Sequence, residues 1–141
     1  MLDACRLIRF GAHQNPSGTL TAIEGGTDVP FPIRRVYLLY DIPGGSVRGG
    51  HAHRDVKQVL VPLSGAFDVV LSDGEESRTF RLDRCNIGLY VAPGAWRHLE
   101  NFATNSVCLA LVSTVYDEAD YIRDFDVYRA SRAHHDSCRQ P

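Results

Sequence analysis

The chain of 141 residues contains no run of 18 apolar residues, an absence that excludes a membrane-spanning helix. It also lacks an excess of charge of either sign. Fifteen basic and 17 acidic side chains leave a formal net charge of -2, which provides no field to gather nucleic acid non-specifically. No CxxC pair occurs among Cys5, Cys85, Cys108 and Cys138, so neither a zinc knuckle nor a thioredoxin-type redox site is encoded. The N-terminus, MLDACRLIRF, carries Asp3 and has no apolar stretch ending in small residues. It therefore lacks the form of a signal peptide, and a cytoplasmic location is expected. Also missing is a repeated helical pattern of 10 to 15 residues between the apolar segments, which argues against an alternating α/β sheet.

What is present is a series of short apolar segments with period two, separated by glycine-rich turns. Ile33 to Tyr40 puts Ile33, Arg35, Tyr37 and Leu39 on one strand face. A guanidinium and a phenol among apolar residues suit a wet lumen better than a dry core. QVLVPL at 58–63 and AFDVVLS at 66–72 read as strands joined by a tight Ser64-Gly65 hairpin. SRTFRL at 77–82, the segment 86–92 and the strongly apolar segment 106–113 read as further strands, and 20–24 as a short one. Residues 116–129 fit a short helix or an irregular docking segment. About nine short strands in a chain of one-domain length imply an all-β barrel or sandwich. A single domain is expected over 1–130, followed by a polar, disordered tail at 131–141.

The densest chemistry lies at 48–65, RGGHAHRDVKQVLVPLSG. On a strand, His51 and His53 leave the backbone on the same face. A histidine pair beside the apolar run Val59 to Leu63 is costly in a solid core unless every ring nitrogen finds a partner. A barrel open to a ligand is the more economical arrangement. The alternative is a surface strand whose imidazoles face water. Metal ligation and acid–base chemistry both remain open from spacing alone.

His51-x-His53, Gln58 and Gly65 resemble the first motif of the cupin superfamily, with Gln58 where an acid usually stands. Gly88, Pro93 and His98 match the second motif loosely. The blocks LTAIEGGTDVPFPIRRVY at 20–37, RGGHAH at 48–53, GLYVAPGAW at 88–96 and YDEADYIRDFD at 116–126 are similar to the nucleotide-sugar 3,4-ketoisomerases, over about residues 6 to 129. The resemblance implies a cupin double-stranded β-helix that forms a homodimer and needs neither metal nor redox cofactor. Its implied substrate is a dTDP-linked 4-keto-6-deoxyhexose, dTDP-4-oxo-6-deoxyglucose, whose keto group moves from C4 to C3 in the formation of 3-amino-3,6-dideoxy sugars. The family positions fall on Tyr37, Arg48, His51, His53 and Gln58, while Arg97 stands where many members have histidine.

Moving a ketone from C4 to C3 requires removal of the C3 proton, an enediol or enediolate, and return of a proton at C4. Two histidines can serve as base and acid, and Tyr37 or Arg48 can hold the developing oxyanion. Arg48 and Arg35 are candidates for the diphosphate or a sugar oxygen, Gln58 for a substrate hydrogen bond and Trp96 for stacking on thymine. Three other readings stand beside this one. They are a metal-dependent cupin using His51, His53, Gln58 and His98, a sugar-nucleotide 3,5-epimerase, and a non-catalytic sugar-nucleotide-binding cupin.

Overall fold

Twelve strands and one helix account for about half of the chain in the computed structural model, which describes residues 1–138. The segments expected as strands at 33–40, 48–53, 58–63, 66–72, 77–82, 86–92 and 106–113 each carry one; the strands not read from sequence are short or carry charge. The first sheet has the order β1 (Arg6–Arg9), β9 (Ile87–Val91), β6 (Gln58–Ser64), β11 (Val107–Val112), β4 (Arg35–Leu39). The second runs β12 (Tyr121–Ile122), β5 (Arg48–His53), β10 (Trp96–Glu100), β7 (Phe67–Ser72), β8 (Ser77–Leu82). β2 (His13–Asn15) and β3 (Gly18–Leu20) form a separate exposed hairpin, and residues 21–24, expected as a strand, are irregular. The pairings within both sheets are antiparallel, as in a jelly-roll barrel.

The two sheets face each other across one core. Leu60, Leu89, Cys108 and Ala110 of the first meet Phe67, Val69, Leu71 and Leu99 of the second, all removed from solvent. The outer face of the first sheet is covered too: Phe10, Val29 and Phe31 pack on Val59, Val61 and Leu111. β6 and β11 are therefore apolar on both faces, which explains their near-continuous hydrophobic runs. Burial pushes the Cys108 thiol up to about 12, in keeping with a small core hydrophobe.

Ser64-Gly65 does not close a hairpin. β6 pairs with β9 and β11, whereas β7 pairs with β8 and β10, so this turn carries the chain from one sheet to the other. Gly65 takes a left-handed φ of 68°, and a Cβ there would collide with Ser106. Ser106 Oγ accepts from Ala66 N at 3.2 Å and lies 2.9 Å from the Ala66 carbonyl, tying the corner to the start of β11.

The helix α1 (Phe125–Ser137) starts at Asp124, whose carboxylate accepts from Asp126 N and Val127 N. It continues past residue 130, so the first part of the segment expected as a disordered tail is helical. The end of that segment, 139–141, lies outside the described residues. Tyr128 fastens the helix to the barrel by donating to the Gly94 carbonyl at 2.6 Å. No helix among the described residues is long and apolar enough to cross a membrane.

Candidate active site

β4 ends the first sheet and β5, bordered by the short β12, ends the second. Between these edges opens a cavity of about 390 Å³, walled by Arg35, Tyr37 and Leu39 from β4, Arg48, Gly49 and His51 from β5, Arg97 from β10, and Tyr116, Tyr121 and Arg123 from the returning chain. The period-two face of β4 predicted from sequence is the face that meets this space.

Strand register sets the neighbours. His51 sits opposite Arg97 on β10, and His53 opposite Tyr121 on β12. Just before His51, the β5–β10 register shifts between Arg97 and Leu99, and Gly49 adopts a left-handed φ of 69°. A Cβ at Gly49 would collide with Arg97 Nη1, so the glycine leaves room for the guanidinium.

The two imidazoles share a face, as the HxH spacing requires, and both are buried. Their Nε2 atoms lie 3.1 Å apart and their rings meet edge to face. His53 Nδ1 lies 2.9 Å from Asp120 Oδ2. A carboxylate only accepts, so Nδ1 of His53 carries a proton and donates it. Burial is the main cause that pulls His51 down to about 2, helped by the positive charge of Arg97. Burial pulls His53 down as well, while the hydrogen bond to Asp120 opposes that shift. Both rings are neutral at neutral pH.

Arg97 is 1% exposed. Its Nη2 donates to Tyr37 Oη at 2.7 Å and to Gln58 Oε1 at 3.0 Å, while Tyr37 Oη–H lies 3.4 Å from the same Gln58 oxygen. Among the described residues no ion pair joins Arg97, Arg35 or Arg48 to a carboxylate. Arg35 donates to Tyr121 Oη at 3.1 Å and lies over the rings of Tyr37 and Tyr116. Arg123, by contrast, forks onto both oxygens of Glu118 at 2.7 and 2.9 Å. Three guanidinium groups without carboxylate partners make the cavity a place for an anion.

Three site expectations need correction. Gln58 lies behind Tyr37 and Arg97, holding both, and does not line the cavity. Trp96 points the other way from Arg97 on β10 and packs against Phe125 and Tyr128 beneath α1, so it is a core side chain and not a platform in the cavity. His98 also leaves the inner face of β10 and approaches Glu100 at 3.3 Å, so the set His51, His53, Gln58, His98 does not converge. His51, Tyr37, Arg48 and Arg35 do meet around one space, with His53 directly behind His51. Sequence reasoning missed Asp120, Tyr121, Tyr116 and Arg123 as site residues, although their block at 116–126 had been singled out. It noted Arg97 only as a departure.

The fold and this wall define a cupin whose barrel encloses a cation-rich cavity with ionisable side chains on its inner face. The family described as FdtA: WxcM-like, C-terminal matches residues 3–133. A TDP-4-oxo-6-deoxy-alpha-D-glucose-3,4-oxoisomerase from Aneurinibacillus thermoaerophilus is 40% identical over 124 residues, covering 88% of this chain and 89% of its own. Among solved structures, QdtA, a sugar 3,4-ketoisomerase from Thermoanaerobacterium thermosaccharolyticum in complex with TDP, superposes with a TM-score of 0.92 at 37% identity, over 96% of this chain and 98% of its own. A mutant of that enzyme in complex with TDP-4-keto-6-deoxyglucose gives 0.91 at 36% identity, over 95% and 97%. The chain belongs to this family of sugar 3,4-ketoisomerases.

Proposed function

We propose that this protein moves the keto group of TDP-4-keto-6-deoxyglucose from C4 to C3 by histidine acid–base chemistry. The observation that carries the reading is the cross-strand pair His51 and Arg97 on the wall of one cavity. A neutral imidazole that accepts a proton and a fixed cation that accepts negative charge are what enolisation next to a ketone needs. His51 removes the proton from C3, and the electrons flow to the C4 oxygen. Arg97 and Tyr37, already hydrogen-bonded to each other, neutralise the enediolate. Protonation at C4 and transfer of the C3-hydroxyl proton to the C4 oxygen leave the 3-keto sugar with a C4 hydroxyl. Arg48 and Arg35 at the cavity wall hold the diphosphate, each through paired N–H donors.

Two copies associate into a homodimer, as the family resemblance implies. The alternating exposed side of edge strand β4, Val36 and Leu38, with Tyr40 just past its end, supports this, because a row of apolar side chains on a sheet edge favours a covering surface. The four cysteines are free thiols, as the reducing cytoplasm favours.

The test is turnover of TDP-4-keto-6-deoxyglucose by wild-type and His51→Asn protein, followed by NMR. Wild type is expected to form the 3-keto sugar and a folded His51→Asn protein to lose on the order of 10²–10⁴-fold in rate. A folded His51→Asn protein that isomerises at a near wild-type rate contradicts the assignment.

A further inference from the structure

We infer that Asp120 is a positioning residue for this reaction, fixing His53 with its proton on Nδ1 and thereby joining His51, His53 and itself into one proton relay. The inference rests on the ketoisomerase reading above. Asp120 ends the 3-10 turn Glu118–Asp120 and holds His53, the last residue of β5, and the two residues that follow it. Its Oδ2 takes the Nδ1 proton of His53 at 2.9 Å, its Oδ1 accepts from Asp55 N at 2.8 Å, and its carbonyl accepts from Arg54 N at 3.0 Å. The carboxylate is thus held by the backbone of the bend that directly follows the strand carrying both histidines.

Tautomers follow from the donor and acceptor count. With the proton of His53 on Nδ1, its Nε2 has a lone pair, and the 3.1 Å contact to His51 is satisfied when His51 Nε2–H donates. His51 Nδ1 is then the unprotonated nitrogen. When the C3–H bond breaks, that proton forms the Nδ1–H bond of His51, the Nε2–H bond of His51 breaks, and a new Nε2–H bond forms on His53. The cation finishes on His53 beside Asp120, and the reverse transfers deliver a proton to C4. No oxidant or further reactant is required.

The charged and titratable groups around His53 are His51 on its own strand, Asp120 from the turn, Tyr121 on β12 with ring centroids 4.4 Å apart, Arg97 on β10 and Arg35 on β4. Of these only Asp120 favours the protonated ring. Removing its charge moves His53 protonation to lower pH.

Histidine ¹⁵N NMR of the wild-type protein at neutral pH tests the relay directly. The expected spectrum has His53 as the Nδ1–H tautomer and His51 as the Nε2–H tautomer; the reverse assignment overturns the inference. Asp120→Asn provides the kinetic test, because its amide oxygen can still accept from Asp55 N while its NH₂ drives the His53 proton to Nε2. Expected are a fall in kcat on the order of 10²-fold, a KM within about threefold, an acid limb of kcat/KM displaced to lower pH, and partial recovery in Asp120→Glu. Loss of kcat with an unmoved acid limb and an unchanged His53 tautomer overturns the inference. If Asp120→Asn fails to fold, the wild-type tautomers decide. An inactive wild type with the expected tautomers counts against ketoisomerisation and for the relay geometry.

Discussion

Arg97→Met should separate stability from activity. Arg97 is nearly inaccessible, hydrogen-bonds only neutral oxygens among the described residues, and has no carboxylate in reach. Its burial therefore carries a desolvation cost of several kcal/mol that no ion pair in the free protein offsets. Replacing buried ionic groups by apolar side chains of similar volume is commonly neutral or stabilising by about 1–4 kcal/mol. Methionine follows the arginine stem closely enough to avoid a large cavity. Tyr37 Oη and Gln58 Oε1 retain each other at 3.4 Å, so the substitution does not strand either. In the reaction, by contrast, loss of a donor aimed at the developing oxyanion should cost about 3–4 kcal/mol, roughly 10²–10³ in kcat. Denaturant unfolding and NMR turnover on the same preparation give both numbers. A variant destabilised by about 3–5 kcal/mol, as on breaking a buried pair, or one retaining wild-type kcat, refutes the reasoning.

Three further outcomes follow from other parts of the site. Gly49→Ala places a Cβ against Arg97 Nη1 at a left-handed backbone position, so activity should fall with Arg97 displaced, as a crystal structure of the variant would record. For acid stability, His51 is held near 2 in the folded protein against 6.5 unfolded, so the unfolded chain binds the extra proton. Stability is complete above about pH 6.5 and falls as the pH drops through that value. His51 alone should remove ~2 kcal/mol by pH 5, and His51→Asn should flatten that part of the unfolding profile. Trp96→Ala should lower stability by about 3–5 kcal/mol while Trp96→Phe leaves KM for the TDP-sugar near wild type; a large rise in KM for Trp96→Phe would return Trp96 to the ligand site.

Local periodicity carried the parts of the site that lie on one strand. His51 and His53 share a face because they are two apart, and Arg35 and Tyr37 announced a wet wall by interrupting an apolar face. Partnerships made across strands were hidden. Arg97 beside His98 reads as an ordinary surface pair, since arginine is rarely fully buried, and only the register that sets it opposite His51 reveals its place. Asp120 meets His53 across 67 residues of sequence, with nothing local to mark it. Gln58 was recognised by its position after the histidines, yet which side of Arg97 it occupied depended on β6 belonging to the opposite sheet. The same exchange of sheets turned the Ser64-Gly65 hairpin into a corner. Turn residues indicate that the chain changes direction; the partner strand is chosen by core packing.

The most direct test of the central claim is NMR of TDP-4-keto-6-deoxyglucose incubated with the protein in deuterated buffer. The account predicts conversion to the 3-keto sugar, with solvent deuterium, where it enters, confined to C3 and C4. A substrate unchanged over hours, or deuterium appearing at C5, contradicts it.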